Sequence, residues 1–196
     1  MYDLYEARNS IYCYENTDIL KNKLNIKDKE KTYARWVQYV NEYEEGATLY
    51  EGFEDVFSKS EEAGIIKFLF EDIYNFAGLF RSENIAKGNF RFAEWEYIEQ
   101  ELIKLLDELK AEKYLEGLTK QELAKKLAYY MAELNVLHPF REGNGRAIRE
   151  FIRELAMKNG YELDLTKTTP TNMLNACIES VVDTSELEEI LYKCLV

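Results

Sequence analysis

The chain holds one histidine, two prolines, three cysteines and nine glycines among 196 residues, and each scarcity removes a class of protein. With a single histidine and no Cys-x-x-Cys pair, a Cys/His zinc site cannot be assembled. Cys13, Cys177 and Cys194 are odd in number and far apart, which reads as reduced, structural thiols. Few prolines and glycines leave little turn chemistry for many short strands, so an all-β sandwich or barrel is disfavoured. Basic charge is also short: 25 Lys and Arg face 37 Asp and Glu, a net −12. Such a surface repels a phosphate backbone or an anionic lipid, so neither nucleic acid nor membrane is expected as a partner. No apolar run approaches a membrane span. Met1-Tyr-Asp-Leu-Tyr-Glu offers neither the basic nor the apolar region of a secretory leader. The expected location is cytoplasmic, with delivery to another cell left open.

What is present points to helices. Apolar residues make up 46% and charged residues 32% of the chain, the balance of an ordinary globular protein with material for one core. Ile65, Ile66, Leu69, Phe70, Ile73, Phe76 and Ala77 carry helical spacing over 62–80, with Gly78 as a stop. The segment after it changes character. Phe90 and Phe92 alternate with polar neighbours and Gly88-Asn89 signals a two-residue turn, which predicts a β-hairpin. Helical spacing resumes from Trp95 to Leu109 and ends near Gly117. A capping box at Thr119 and Glu122 opens a helix with Leu123, Leu127, Tyr130, Met131 and Leu134 on its apolar face. Ile148, Phe151, Ile152 and Leu155 mark another helix, closed by Asn159-Gly160. Ser185 and Glu188 form a second capping-box pattern ahead of Leu187, Ile190, Leu191 and Leu195. The expected fold class is all-α, a helical bundle with one small hairpin. The expected organisation is an N-terminal helical extension over 1–60 and a core over 61–196, together one structural domain.

The chemistry concentrates in His138-Pro-Phe-Arg-Glu-Gly-Asn-Gly-Arg-Ala-Ile-Arg149. A helix ends near Leu137, a glycine-containing loop follows, and a helix begins near Gly145. The N–H groups and dipole of a helix start make an anion site. Gly143 and Gly145 let backbone approach an anion closely, and Arg146 and Arg149 lie one turn apart. Four of the eight arginines fall within 138–153 against two glutamates, a local +2 in a chain of −12. Arginine suits bidentate phosphate recognition. Glu142 is odd in a plain anion site but fits an anion that arrives with Mg²⁺. His138 supplies an imidazole, the side-chain type that ionises near neutrality, and suits proton removal from an attacking hydroxyl. Taken singly, a His before Pro, an Arg pair or a Gly-Asn-Gly turn is commonplace; their coincidence points to phosphoryl or nucleotidyl transfer.

The same run matches the signature His-x-Phe-x-(Asp/Glu)-Gly-Asn-Gly-Arg-x-x-Arg at every fixed position, and the chain resembles the Fic family. The resemblance extends to Phe70-Glu-Asp-Ile-Tyr-Asn-Phe-Ala-Gly and to Arg81-Ser-Glu-Asn-Ile-Ala-Lys-Gly-Asn-Phe-Arg-Phe-Ala93, similar to the helix and flap hairpin of Fic domains. Asn16-Thr-Asp-Ile-Leu-Lys-Asn-Lys-Leu is similar to the start of Fic toxins and of effectors delivered by type IV secretion. The resemblance implies protein AMPylation: AMP passes from ATP to a Tyr, Ser or Thr hydroxyl of a target protein, and pyrophosphate is released. It implies that His138 is the base, that Phe140 anchors the loop, and that Glu142 holds Mg²⁺ against the α- and β-phosphates. Gly143, Asn144 and Gly145 would form the anion hole, Asn144 on the α-phosphate, and Arg146 and Arg149 would grip the β/γ end. Ile85, Lys87, Gly88, Asn89 and Phe90 would belong to a flap, over about 85–93, that pairs with the target's backbone.

Fic AMPylases are restrained by an inhibitory helix, (Ser/Thr)-x-x-x-Glu-(Gly/Asn). Ser185 to Glu189 has the spacing but ends in Ile190; Glu51-Gly52 is preceded by Ala47 at the Ser/Thr position; Ser10 to Glu15-Asn16 is one residue too long. With no intact motif, the resemblance implies a toxin held by a separate small antitoxin. The alternatives are a Fic enzyme that transfers another phosphate-containing group or removes AMP, and a non-catalytic nucleotide-binding module.

Overall fold

The computed structural model describes residues 10–31, 67 and 70–196. Among these the protein is mainly helical, with one two-stranded antiparallel sheet, as the sequence predicts. Contacts divide the chain into two compact units, Met1–Glu96 with Pro139–Ala147, and Tyr97–His138 with Ile148–Val196.

The second unit is built from helices whose apolar spacing is visible in the sequence. Helix α1 (Ile98–Ala111) buries Ile98, Leu102, Leu105 and Leu109 at intervals of three and four. Helix α2 (Lys120–Leu137) starts where the capping box predicts: the Glu122 N–H donates to Thr119 Oγ1, and the Thr119 N–H donates to Glu122 Oε2 at 2.9 Å. Its Leu123, Leu127, Tyr130 and Leu134 are buried, with Ala124 and Ala128 beside them allowing close approach. Helix α3 (Asn144–Lys158) buries Ile148, Phe151, Ile152 and Leu155, and Gly160 follows with φ 83°, the left-handed turn that glycine allows. Helix α4 (Pro170–Glu179) was not singled out from sequence. Its signal is Thr169-Pro170, where the Thr169 hydroxyl accepts the Asn172 N–H at 3.1 Å and Pro170 occupies the first helical position. Helix α5 (Ser185–Cys194) packs on α2 and α4, and the C-terminal backbone pairs with Glu162–Asp164.

One expected cap is corrected. Ser185 is not the N-cap of α5 but its first residue. Both its N–H (2.9 Å) and its hydroxyl (2.6 Å) donate to Asp183 Oδ1, so the aspartate two residues upstream takes over the capping partner. The negative charge of Asp183 at the positive helix end favours that arrangement.

The described residues of the first unit are less regular. Of the expected N-terminal helical extension, 10–28 is turns and an isolated Cys13–Leu20 bridge, helical geometry begins at 29–31, and the rest lies outside the described residues. The helix expected over 62–80 is corrected at its C-terminal half: Phe70 is its last helical residue, and turns occupy 71–73 and 75–78. The apolar spacing persists, but the Ile73 carbonyl accepts the Lys23 N–H at 2.8 Å, a tertiary bond that competes with helical continuation. Residues 62–66 and 68–69 lie outside the described residues, as do Ala47, Glu51 and Gly52. The hairpin forms where expected. Strands β1 (Ala86–Lys87) and β2 (Phe90–Arg91) pair in the register Ala86–Arg91 and Lys87–Phe90, and the Phe92 N–H donates to Ile85 O at 3.3 Å. Gly88 takes φ 58° at the first turn position, which such tight turns reserve for residues able to enter the left-handed region.

Candidate functional site

The motif begins at the end of α2, inside the second unit. His138 is the C-cap of that helix, its N–H donating to Leu134 O at 3.0 Å. It takes left-handed dihedrals, φ 47° and ψ 61°, unusual for a residue with a side chain and often found at functional sites. The turn places His138 Nδ1 3.2 Å from Asn135 O. A carbonyl only accepts, so this contact favours the neutral tautomer that carries its proton on Nδ1. Asn135 carries no sequence signal for this role; its backbone acts, one helical turn back.

The loop that follows belongs to the first unit. Asn144, fully buried, closes it: the Phe140 N–H donates to Asn144 Oδ1 and Asn144 Nδ2 donates to Phe140 O, both at 2.8 Å. Both ends of the carboxamide are thus engaged by the Phe140 backbone, an arrangement spacing alone does not disclose. Phe140 itself is buried against Phe80, with ring centroids 5.8 Å apart, and the two residues form an antiparallel bridge. Gly143 takes φ 86°, and its carbonyl accepts the N–H groups of Arg146 (3.0 Å) and Ala147 (3.1 Å), the first bonds of α3. The N–H groups of Asn144 and Gly145 precede those bonds and so head the helix, in the position that attracts anions. Glu142 is buried, with Oε1 accepting the Gly143 N–H at 3.2 Å.

The structure redistributes the arginines. Arg141, buried, donates from Nε to Glu83 Oε1 at 3.1 Å. Arg153 makes a two-pronged contact with Glu150, at 2.8 and 2.6 Å, and a further one with Glu154. Arg146 and Arg149, to which the anion-binding expectation assigns the phosphates, lie in the first two turns of α3, half-buried and exposed respectively. Cys177 of α4 lies close enough to Arg149 and Asn135 to feel both. Burial pushes its thiol pKa up, while the Asn135 contact and the Arg149 charge oppose the shift.

Of the flap residues, Ile85 is buried, Phe90 is half-buried with its ring 5.1 Å from that of Phe92, and Lys87, Gly88 and Asn89 are exposed at the tip. The base of the hairpin meets the loop within the first unit: the Arg81 N–H donates to Pro139 O at 2.8 Å, beside the Phe80–Phe140 bridge. Arg81 and Glu83 were not candidates from sequence, because two charged residues before a hairpin are ordinary until their burial is known.

The model of the Fic/DOC family matches residues 56–156, which includes the hairpin and the whole loop. The chain belongs to the Fic/DOC family. It is 38% identical over 192 residues to the protein adenylyltransferase VbhT of Bartonella schoenbuchensis, covering 96% of this chain but only 39% of VbhT. It is 34% identical to the y4lH protein of Sinorhizobium fredii, over 90% of each. Among solved structures, the N-terminal Fic domain of a VirB-translocated Bep effector of Bartonella quintana, with bound ADP, superposes with a TM-score of 0.82. The identity there is 28%, over 94% of each chain. The chain thus carries the Fic fold and spans about two fifths of the length of VbhT. None of the helices in the described residues is long and apolar enough to cross a membrane.

Proposed function

We propose that the chain is a protein adenylyltransferase, moving AMP from ATP to a hydroxyl side chain of a target protein. The observation that carries this reading is the ring of His138. Its Nδ1 contact with Asn135 O favours the tautomer in which Nε2 can take a proton, as a base for hydroxyl attack must. In the proposed step the target oxygen bonds to the α-phosphorus, its proton passes to His138 Nε2, and the α–β bridging bond breaks, its electron pair leaving with pyrophosphate. The N–H groups heading α3 at Asn144 and Gly145, with Arg146 and Arg149, suit the binding of a polyphosphate. ADP in the related Bartonella quintana domain and the name of VbhT support the same substrate class. Residues 61–196 would be the catalytic core and 1–60 an extension of it.

Glu142 suits Mg²⁺. It is a buried oxygen donor beside the helix start proposed to bind the anion. One carboxylate plus phosphate oxygens is the donor set Mg²⁺ favours over an all-protein cage. When bound, the ion would neutralise phosphate charge. The hairpin with Ile85, Lys87, Gly88, Asn89 and Phe90 would pair with the target's backbone, its exposed tip offering polar groups to an extended segment. The reading extends to a cytoplasmic toxin restrained by a separate small antitoxin, as the resemblance to Fic toxins implies.

The test is incubation of the protein with bacterial lysate and ATP labelled at the α- or γ-phosphate. Label on protein from the α position alone, absent with His138→Ala, is the expected result. Label from the γ position would make the enzyme a kinase, and nucleotide binding without transfer would make it a binding module.

A further inference from the structure

The hairpin raises a physical difficulty. Two strands of two residues each cannot hold an orientation by themselves, since an isolated two-stranded hairpin is marginal in water. Yet a strand that presents a target to a reactive loop must be held in place, because misplacement of about 1 Å can cost on the order of a hundredfold in rate.

The polar groups at the base of the hairpin supply the constraint. Arg81 is 2% exposed. Its guanidinium donates from Nη1 to Glu83 O at 2.7 Å and from Nη2 to Ala93 O. Glu83 precedes β1 and Ala93 follows β2, so one planar fork ties the two limbs together. The backbone N–H of the same residue donates to Pro139 O in the loop. A second link lies next to it. The Glu83 carboxylate accepts Arg141 Nε at 3.1 Å, the Ser10 hydroxyl at 2.6 Å and the Ile11 N–H at 3.0 Å. Arg141 is 4% exposed and stands between Phe140 and Glu142. Stability is a weak explanation for such a pair, because desolvation of buried charges offsets much of their attraction; what a buried pair adds is directional, fixing one register.

We propose that Arg81 and the Glu83–Arg141 pair are positioning residues, which hold the hairpin in register with the loop so that a target strand lying on it presents its hydroxyl to the reacting centre. The proposal rests on the reading of the hairpin as the target-binding flap. Arg81 closes the hairpin's limbs and anchors them to Pro139; Glu83 and Arg141 lock the same base to the residue beside Glu142.

The decisive variant is Arg81→Lys in the full chain, which keeps the positive charge and the backbone bond to Pro139 but loses the fork. Amide hydrogen exchange over 85–92 should quicken at least tenfold, with exchange over 123–134 in α2 unchanged. Affinity for the ATP analogue AMPPNP should stay within threefold of the parent. Transfer of α-phosphate label to lysate protein should fall at least tenfold. Unchanged hairpin exchange would overturn the clamp, and quickened exchange with undiminished transfer would overturn the positioning role. Absence of transfer by the parent protein would instead remove the adenylyltransferase reading, while the exchange result still decides the clamp. Should Arg81→Lys fail to fold, Glu83→Gln serves the same readings: it keeps size, removes the charge facing Arg141, and should quicken exchange over both 85–92 and 139–145.

Discussion

The described parts of the two units differ in the bonds that shape them. In the second, α2 buries Leu123, Leu127 and Leu134 on one face, a pattern set by the helical repeat and by burial of about 25 cal/mol per Å² of apolar surface. In the first, the segments that matter are short and irregular, and they are joined by directed polar bonds between distant residues: Ser10 to Glu83, Glu83 to Arg141, Arg81 to Ala93 and to Pro139. Apolar packing tolerates reshaping, whereas a bonded polar network has one geometry or a large penalty. A reactive loop and a presenting hairpin require the second kind of precision.

The contrast can be broken at several points. His138→Ala should reduce label transfer by about 10²–10⁴-fold, the range for loss of a general base, while leaving the melting temperature close to the parent; an equal fall in stability would place the residue in the fold instead. Leu127→Ala, in the fully buried face of α2, should cost about 2–5 kcal/mol in urea unfolding, through lost transfer energy and a cavity. Asn144→Ala leaves a buried donor and acceptor at Phe140 and should cost about 1–3 kcal/mol. Its exchange signature should be confined to 139–147; spread into α2 would show that the two regions are less distinct than their bonding. Thr119→Ala removes the cap of α2 and should cost about 1 kcal/mol, read as faster exchange in that helix's first turn.

The smallest effect concerns acid. The Ser185 hydroxyl and N–H donate to the Asp183 carboxylate and hold its pKa below the ordinary 3.8. A carboxylate lowered on folding contributes stability above its unfolded pKa and loses it as pH falls through the folded value. Between pH 7 and pH 3, Asp183→Asn should therefore lose slightly less melting temperature than the parent.

Legibility followed the same division. The faces of α1, α2 and α3, the capping box at Thr119 and the hairpin turn at Gly88-Asn89 could all be read, because each depends on neighbours within a few residues. The helix expected over 62–80 stops at Phe70, where Lys23 claims the Ile73 carbonyl, and Ser185 yields its capping role to Asp183. In the motif, residue types and order were evident, but the partners were not. The local +2 placed four arginines in one charge island, whereas Arg141 faces Glu83 and Arg153 faces Glu150 and Glu154. Nothing in the spacing discloses that an arginine of the motif is aimed at a glutamate 58 residues away.

By itself, then, the sequence determined the helical class, the family and the chemical alphabet of the loop: one base, one carboxylate, two glycines and the arginines beyond them. The class is set by composition and short-range periodicity and the family by the order of residues in the motif, all of which survive without knowledge of the fold. The contact of His138 Nδ1, the closure of the loop by Asn144 and the clamp at the foot of the hairpin were decided only by the folded structure. Each depends on where a donor meets an acceptor to within a few tenths of an ångström, and a linear chain carries no such distance until it is folded.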